Sequence, residues 1–411
     1  MPILLEEDLQ RPLPRMYRVR QQFDETRLED VAGTVRAELA KPEIRALVKP
    51  GMRIAVGVGS RGIQNLYTIV ETTVNSLKEL GAEPFIVSAM GSHGGGTEEG
   101  QREVLAGYGI TEERLGVPVV TTVDTVQLGA CKNGRPVWFD RAAYEADLIV
   151  PINRVKLHTD FVGPIQSGLC KMLVIGLGNH KGCSAVHEEA PEVFADAIEE
   201  TARLILQKAP VGFGIAILEN AYDKTYAVEA VPAEHLVERE KELVQIAKGN
   251  MPYIMLDEAD VIVCGAIGKD ISGAGFDPNI LGRSSVLKQF VLHIPRYQRL
   301  VLCDVTPASH GNGIGVGLFD VITKKVAEQL DLESMYANAI ACNCLGDASV
   351  PCTVDDEETA IRVALKCCRN IDRDHPRIIR IQNTLHLGEI EVSEALLDAV
   401  RADPRMSLIE N

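Results

Sequence analysis

The stretch from Ile152 to His187, INRVKLHTDFVGPIQSGLCKMLVIGLGNHKGCSAVH, concentrates side chains that do chemistry among small residues that let a ligand approach. His158 lies thirteen residues before Lys171, and His187 lies sixteen after it. Imidazole or thiolate serves a metal, a group titrating near neutrality serves proton transfer, and an amine serves a covalent cofactor. His180, Cys183 and His187 recur at i, i+3 and i+7, one helical face and a spacing that suits a metal. Gly182 weakens a helix there, and HEEAP is not the HExxH zinc signature, so a capped helix end explains these residues as well. Lys171 stands in the apolar SGLCKMLVIGLG, where an amine either snorkels to water or is held as a nucleophile.

Other loops add to this set. Gly59-Ser60-Arg61-Gly62 and Gly91-Ser92-His93-Gly94-Gly95-Gly96 each follow a run that reads as a strand. Arg61 offers a fixed fork for a carboxylate or phosphate, or else pairs with a nearby acid. His93, framed by glycines, approaches a substrate with little hindrance, or else serves the loop's own backbone. Later in the chain, Gly268 to Gly275 brings Lys269, and Asp277-Pro278-Asn279 leads to Arg283. Glycines and cations at a strand end suit an anion. The run from His310 to Gly317 has the general shape of a phosphate-binding turn without the GxGxxG fingerprint, and no Walker A sequence occurs.

These loops need a scaffold, and the pattern supplies one. MRIAVGVG (52–59), EPFIVSAMG (83–91), VPVVTTV (117–123) and ADLIVPINRVK (146–156) read as strands. LYTIVETTVNSLKEL and TEEGQREVLAGYG between them read as helices. GFGIAILENAYDKTYAVEAVP reads as a strand pair, and AEHLVEREKELVQIAKG as an amphipathic helix with its charges outward. A second unit begins near Asp257, with ADVIVCGAIG and RLVLCDV as strands and GLFDVITKKVAEQLDL (317–332) as a long helix. Alternating strands and helices predict an α/β chain of two domains, each with a mainly parallel sheet flanked by helices. The boundary falls at 250–257, dividing 1–252 from 253–411, with the active site expected in the cleft between them.

Composition narrows the function class. The chain has 411 residues, 46% hydrophobic and 24% charged, with a net charge of −16. That charge argues against nucleic acid or an anionic membrane as the main partner and leaves a small anionic substrate open. No signal pattern and no apolar run of about 18 residues is present, so a cytoplasmic protein is expected. The ten cysteines then read as reduced, mostly buried thiols.

The ordered set Arg61, His93, His158, Lys171 and His187 resembles the nickel-dependent lactate racemase family, whose cofactor is a nickel-pincer nucleotide. The resemblance runs from about Met52 to Arg283 by motif. It implies a racemase or epimerase of a 2-hydroxyacid, with His93 and His158 as acid and base and Arg61 helping to hold substrate. It further implies covalent attachment of the cofactor at Lys171, His187 as the nickel ligand, Ser92 and Gly168 beside the cofactor, and Lys269 or Arg283 at the substrate carboxylate. The host's cofactor-synthesis proteins are implied as partners. The chain departs from the family in SHGG after the first histidine and in SGLCK before the lysine. Two other readings stand beside this one: a zinc-dependent hydrolase using His158, His180 and His187, and a binding protein that retains the fold without turnover.

Overall fold

The computed structural model of the protein describes residues 3–59 and 62–410. The chain forms two compact units, Glu25–Met251 and a second one joining Met1–Asp24 to Pro252–Asn411.

In the first unit, six strands lie side by side in the order Val119–Val120, Glu83–Ser88, Arg53–Val58, Leu148–Arg154, Phe213–Glu219, Thr225–Pro232. All neighbours are parallel except the last pair, which is antiparallel. The parallel strands read as β-branched runs because both faces are covered. The Leu66–Glu79 helix returns Leu66, Ile69, Val70, Val74 and Leu77 to one face and packs them into the core built on Ile54, Val56 and Ile86. The chain works outward from Arg53–Val58 to Val119–Val120, then comes back to lay Leu148–Arg154 on the other side of Arg53–Val58. That reversal is the point at which an open parallel sheet leaves a crevice at its carboxyl edge. Thr125–Ala130 and Pro136–Asp140 form a separate antiparallel hairpin that the hydrophobic pattern does not announce.

The second unit holds an eight-stranded sheet. Its parallel half runs Cys352–Val354, Val321–Thr323, Arg299–Leu302, Val261–Cys264, Ile378–Ile381. Glu389–Ser393, Met16–Gln21 and Met406–Leu408 continue it antiparallel. Alternate residues enter opposite cores: Ile262 and Cys264 pack with Leu300 and Leu302, while Val261 and Val263 pack with Val301. The long helix expected over 317–332 is not formed. Val321–Thr323 is a strand paired on both sides, and the helix is confined to Lys324–Gln329. Three β-branched residues in a row favour the pleated surface over the helix. Among the described residues, no helix is long and apolar enough to cross a membrane.

Candidate active site

The three loops singled out in the first half of the sequence leave the carboxyl ends of three adjacent strands, Glu83–Ser88, Arg53–Val58 and Leu148–Arg154. After Leu148–Arg154, the backbone of Lys156 exchanges hydrogen bonds with Ser167 at 2.9 and 3.1 Å, closing the intervening residues into a loop. Inside it, the Gln166 side chain accepts from the His158 amide at 2.8 Å, and Leu157, Phe161 and Ile165 are buried. The chain then enters a helical turn, Leu169–Lys171, widens into a π-helical stretch, Met172–Gly176, and resumes as the helix Asn179–His187. Asn179 takes a left-handed φ of 51° at that junction.

This path brings Lys171 against His158, with the lysine Nζ in hydrogen-bond contact with Nε2. The Asp160 amide donates to His158 Nδ1 at 3.0 Å. That backbone hydrogen bond orients the imidazole so that its Nε2 faces the lysine. Behind the pair stands an aromatic wall. His158 stacks on Phe161 with ring centroids 4.2 Å apart, Phe161 meets Phe194 at 4.8 Å, and Phe194 presents an edge contact to His187 at 5.1 Å.

His187 ends its helix with Nδ1 donating to the Cys183 carbonyl at 2.7 Å. That bond fixes the ring and leaves Nε2 to bind a metal. The Cys183 sulfur lies 3.5 Å from Nδ1 and 3.8 Å from the Ser92 hydroxyl. Burial pushes the Cys183 thiol up, but the hydrogen bond and charge of His187, with Ser92, outweigh it and leave it below its ordinary value. For His187, burial pushes down and the Cys183 contacts prevail, so the imidazole is raised.

His93 is exposed on the glycine loop. Gly91, Gly94, Gly95 and Gly96 all have φ between 61° and 68°. A Cβ on Gly94 would come within 2.7 Å of the Gln101 nitrogen, so glycine is required there. Gln101, fully buried, reads the loop's backbone: its amide donates to Gly91 O at 3.2 Å and His93 O at 3.4 Å, while its oxygen accepts from Ser88 at 2.6 Å. The Gly91 amide donates to Gly176 O at 3.0 Å, tying the loop to the stretch that follows Lys171. Arg61 and Ser60 lie outside the described residues. The segment after them is anchored, since the Gln64 amide donates to Glu219 Oε1 at 2.8 Å.

Two buried acids that sequence reasoning overlooked hold this segment. Glu240 lies fully buried on the Leu236–Asn250 helix and accepts from the Cys170 amide at 2.8 Å. Burial pushes its carboxyl up to about 7, against the Cys170 and Leu169 amides, which pull it down. Its helix therefore does not carry all its charges outward. The signal was present, because Glu240 falls in step with buried Leu236, Val237, Leu243, Val244 and Ala247. Asp140, also buried, accepts from the Ala143 amide at 2.8 Å and from the Asn179 side chain at 2.9 Å. Burial raises it to about 6, with the Ala143 and Asn179 hydrogen bonds opposing.

Lys269 and Arg283 belong to the other unit. The Lys269 ammonium donates to Gly273 O at 2.7 Å. Arg283 pairs with Asp320 at 2.7 Å, donates to Leu318 O at 2.9 Å and lies over the Tyr297 ring.

Residues 11–196 match the family model described as the lactate racemase N-terminal domain. The first half of the chain is thus similar to the lactate racemase N-terminal domain. None of the curated proteins matches it. Among solved structures, it is similar to the lactate racemase apoprotein from Thermoanaerobacterium thermosaccharolyticum, with a TM-score of 0.52 and 13% identity over 89% of this chain and 93% of that one. A protein from Thermotoga maritima gives 0.51 and 13% over 80% and 85%. At such identity these likenesses bear on the fold alone.

Given that similarity, the test is whether these residues suit a covalently held nickel cofactor. They do. Lys171 offers an amine in contact with His158, and His187 an imidazole oriented through its other nitrogen. The zinc reading gains nothing comparable: among the described residues, no group of three His, Cys, Asp or Glu side chains is placed to hold a metal ion. His180 stands exposed at the start of its helix.

Proposed function

We propose that the chain is a racemase or epimerase of a 2-hydroxyacid that works by reversible hydride transfer with a nickel-pincer nucleotide attached at Lys171. The observation that carries this reading is the convergence of Lys171 on His158 at one end of an aromatic wall whose other end meets His187. When bound, the cofactor supplies an electrophilic pyridinium carbon that takes and returns hydride, its reactivity tuned by nickel.

The chain's own residues do the rest. The α-hydrogen of a 2-hydroxyacid is weakly acidic, so its loss as hydride, with the hydroxyl proton passing to a base, avoids a carbanion. His158 is the base for one hand of the substrate and His93 for the other, each returning its proton in the reverse sense. His187 coordinates nickel, with Ser92 and Gly168 beside the cofactor. Arg61 holds the substrate with a second cation at the carboxylate. We take that cation to be Lys269 or Arg283. The substrate is thus a small hydroxylated anion, and the cofactor is delivered by the host's synthesis proteins.

The test is peptide mass and metal analysis of protein made in a host that synthesises the cofactor. An adduct on Lys171 with nickel, together with racemisation of a 2-hydroxyacid, is the expected result. An unmodified Lys171, in a host that loads another family member, overturns the reading.

A further inference from the structure

The turn that presents Lys171 is held from outside itself. Its first amides have no intrahelical acceptor, as at any helix start. Here the acceptor is Glu240 Oε2, 2.8 Å from the Cys170 nitrogen, on a helix some seventy residues further along the chain. The opposite oxygen, Oε1, is buried without a hydrogen-bond partner. The carboxyl also sets the residue at position 168: a Cβ on Gly168 would lie 2.6 to 2.7 Å from three Glu240 atoms. The Gly168 carbonyl is fixed in turn, accepting from the Asn153 side chain at 2.8 Å and from the Met172 amide at 3.0 Å. Asn153 lies on the Leu148–Arg154 strand, so the turn is located on one side by the sheet and on the other by Glu240.

We propose that Glu240 is the positioning residue for Lys171, fixing the first turn of its helix so that the amine meets His158. A fully buried acid with one oxygen unpartnered is a poor choice for stability alone. It suits a place where the angle of a short helical turn must be set. Its carboxyl, raised by burial, also lets the neutral form predominate below neutrality, so a glutamine reproduces its acceptor at the same reach. The inference rests on the reading of Lys171 as the attachment point, and the experiment separates the two.

The full-length apoprotein is labelled with a trace of acetic anhydride, and acetylation of Lys171 is measured by peptide mass relative to exposed Lys208 in the same molecule. E240A should change the Lys171 to Lys208 ratio at least fivefold, while E240Q should stay within twofold of wild type. E240D keeps a carboxyl but shortens its reach, and it should behave as E240A; it serves if E240A does not fold. Folded E240A or E240D with a wild-type ratio overturns the proposal, as does E240Q with the ratio of E240A. In a cofactor-producing host, E240A should carry less Lys171 adduct than wild type. No adduct in wild type overturns the attachment reading and leaves the labelling result to decide Glu240.

Discussion

Asp140→Asn should alter how stability depends on pH. The Asp140 carboxyl is buried and raised from 3.8 to about 6. A raised acid binds an extra proton in the folded state between those two values. Its stabilising contribution is therefore complete below 3.8 and is lost as pH climbs through 6, opposite to the usual salt-bridged carboxylate. Integrating between pH 4 and pH 8, wild type loses about 2.4 kcal/mol from this one group. Asparagine does not titrate, and its amide can donate to Asn179 Oδ1, which is buried without a partner. Glu240 titrates in both proteins and cancels in the difference. The assay is urea unfolding at a series of pH values, followed by the fluorescence of Trp138, the single tryptophan and two residues from Asp140. The difference between variant and wild type should move in favour of D140N by about 2.4 kcal/mol over that range. Parallel stability curves for the two proteins would refute the argument.

Replacing His93 or His158 by alanine should abolish racemisation while leaving nickel and the Lys171 adduct in place, as read by mass and metal content; near-normal turnover in both single variants contradicts the acid–base roles. Phe161→Ala removes a ring that is 2% exposed from between His158 and Phe194, and should cost about 3–5 kcal/mol in urea unfolding. Gln101→Ala leaves the Gly91 carbonyl without its side-chain donor, and should cost about 1–3 kcal/mol while raising protease cleavage at the glycine loop before any global unfolding.

The sequence announced the parts of the site that depend on local chemistry. His93 among glycines, the strand ahead of His158 and the Lys171 to His187 spacing were legible because each is carried by a short contiguous pattern. The supports were not, because they act across the fold. Glu240 reaches Cys170 from seventy positions further along the chain, and Asp140 reaches Asn179 from the end of a hairpin. The strand Val321–Thr323 was read as helix because three residues followed by KKVAEQ also satisfy a helical pattern. What decides the matter is pairing on both edges, which no window along the chain contains. The aromatic wall was similarly hidden, since Phe161 and Phe194 are ordinary core residues until the fold sets them between two histidines.

The strand Met16–Gln21 lies between Glu389–Ser393 and Met406–Leu408, and this placement constrains how the protein is made. It is synthesised before the whole of the unit Glu25–Met251, and both of its partners after it. The unit Glu25–Met251, which carries Lys171 and the histidines around it, is complete in the nascent chain long before that strand can pair. Throughout synthesis the early strand offers two open edges to solvent, a condition that invites association with other chains. Arg15 beside it and Arg18 and Arg20 within it give it some protection while it waits. Deletion of Met406–Leu408 would leave that edge uncovered in the folded protein, so such a variant should be read out first as aggregation rather than as loss of chemistry.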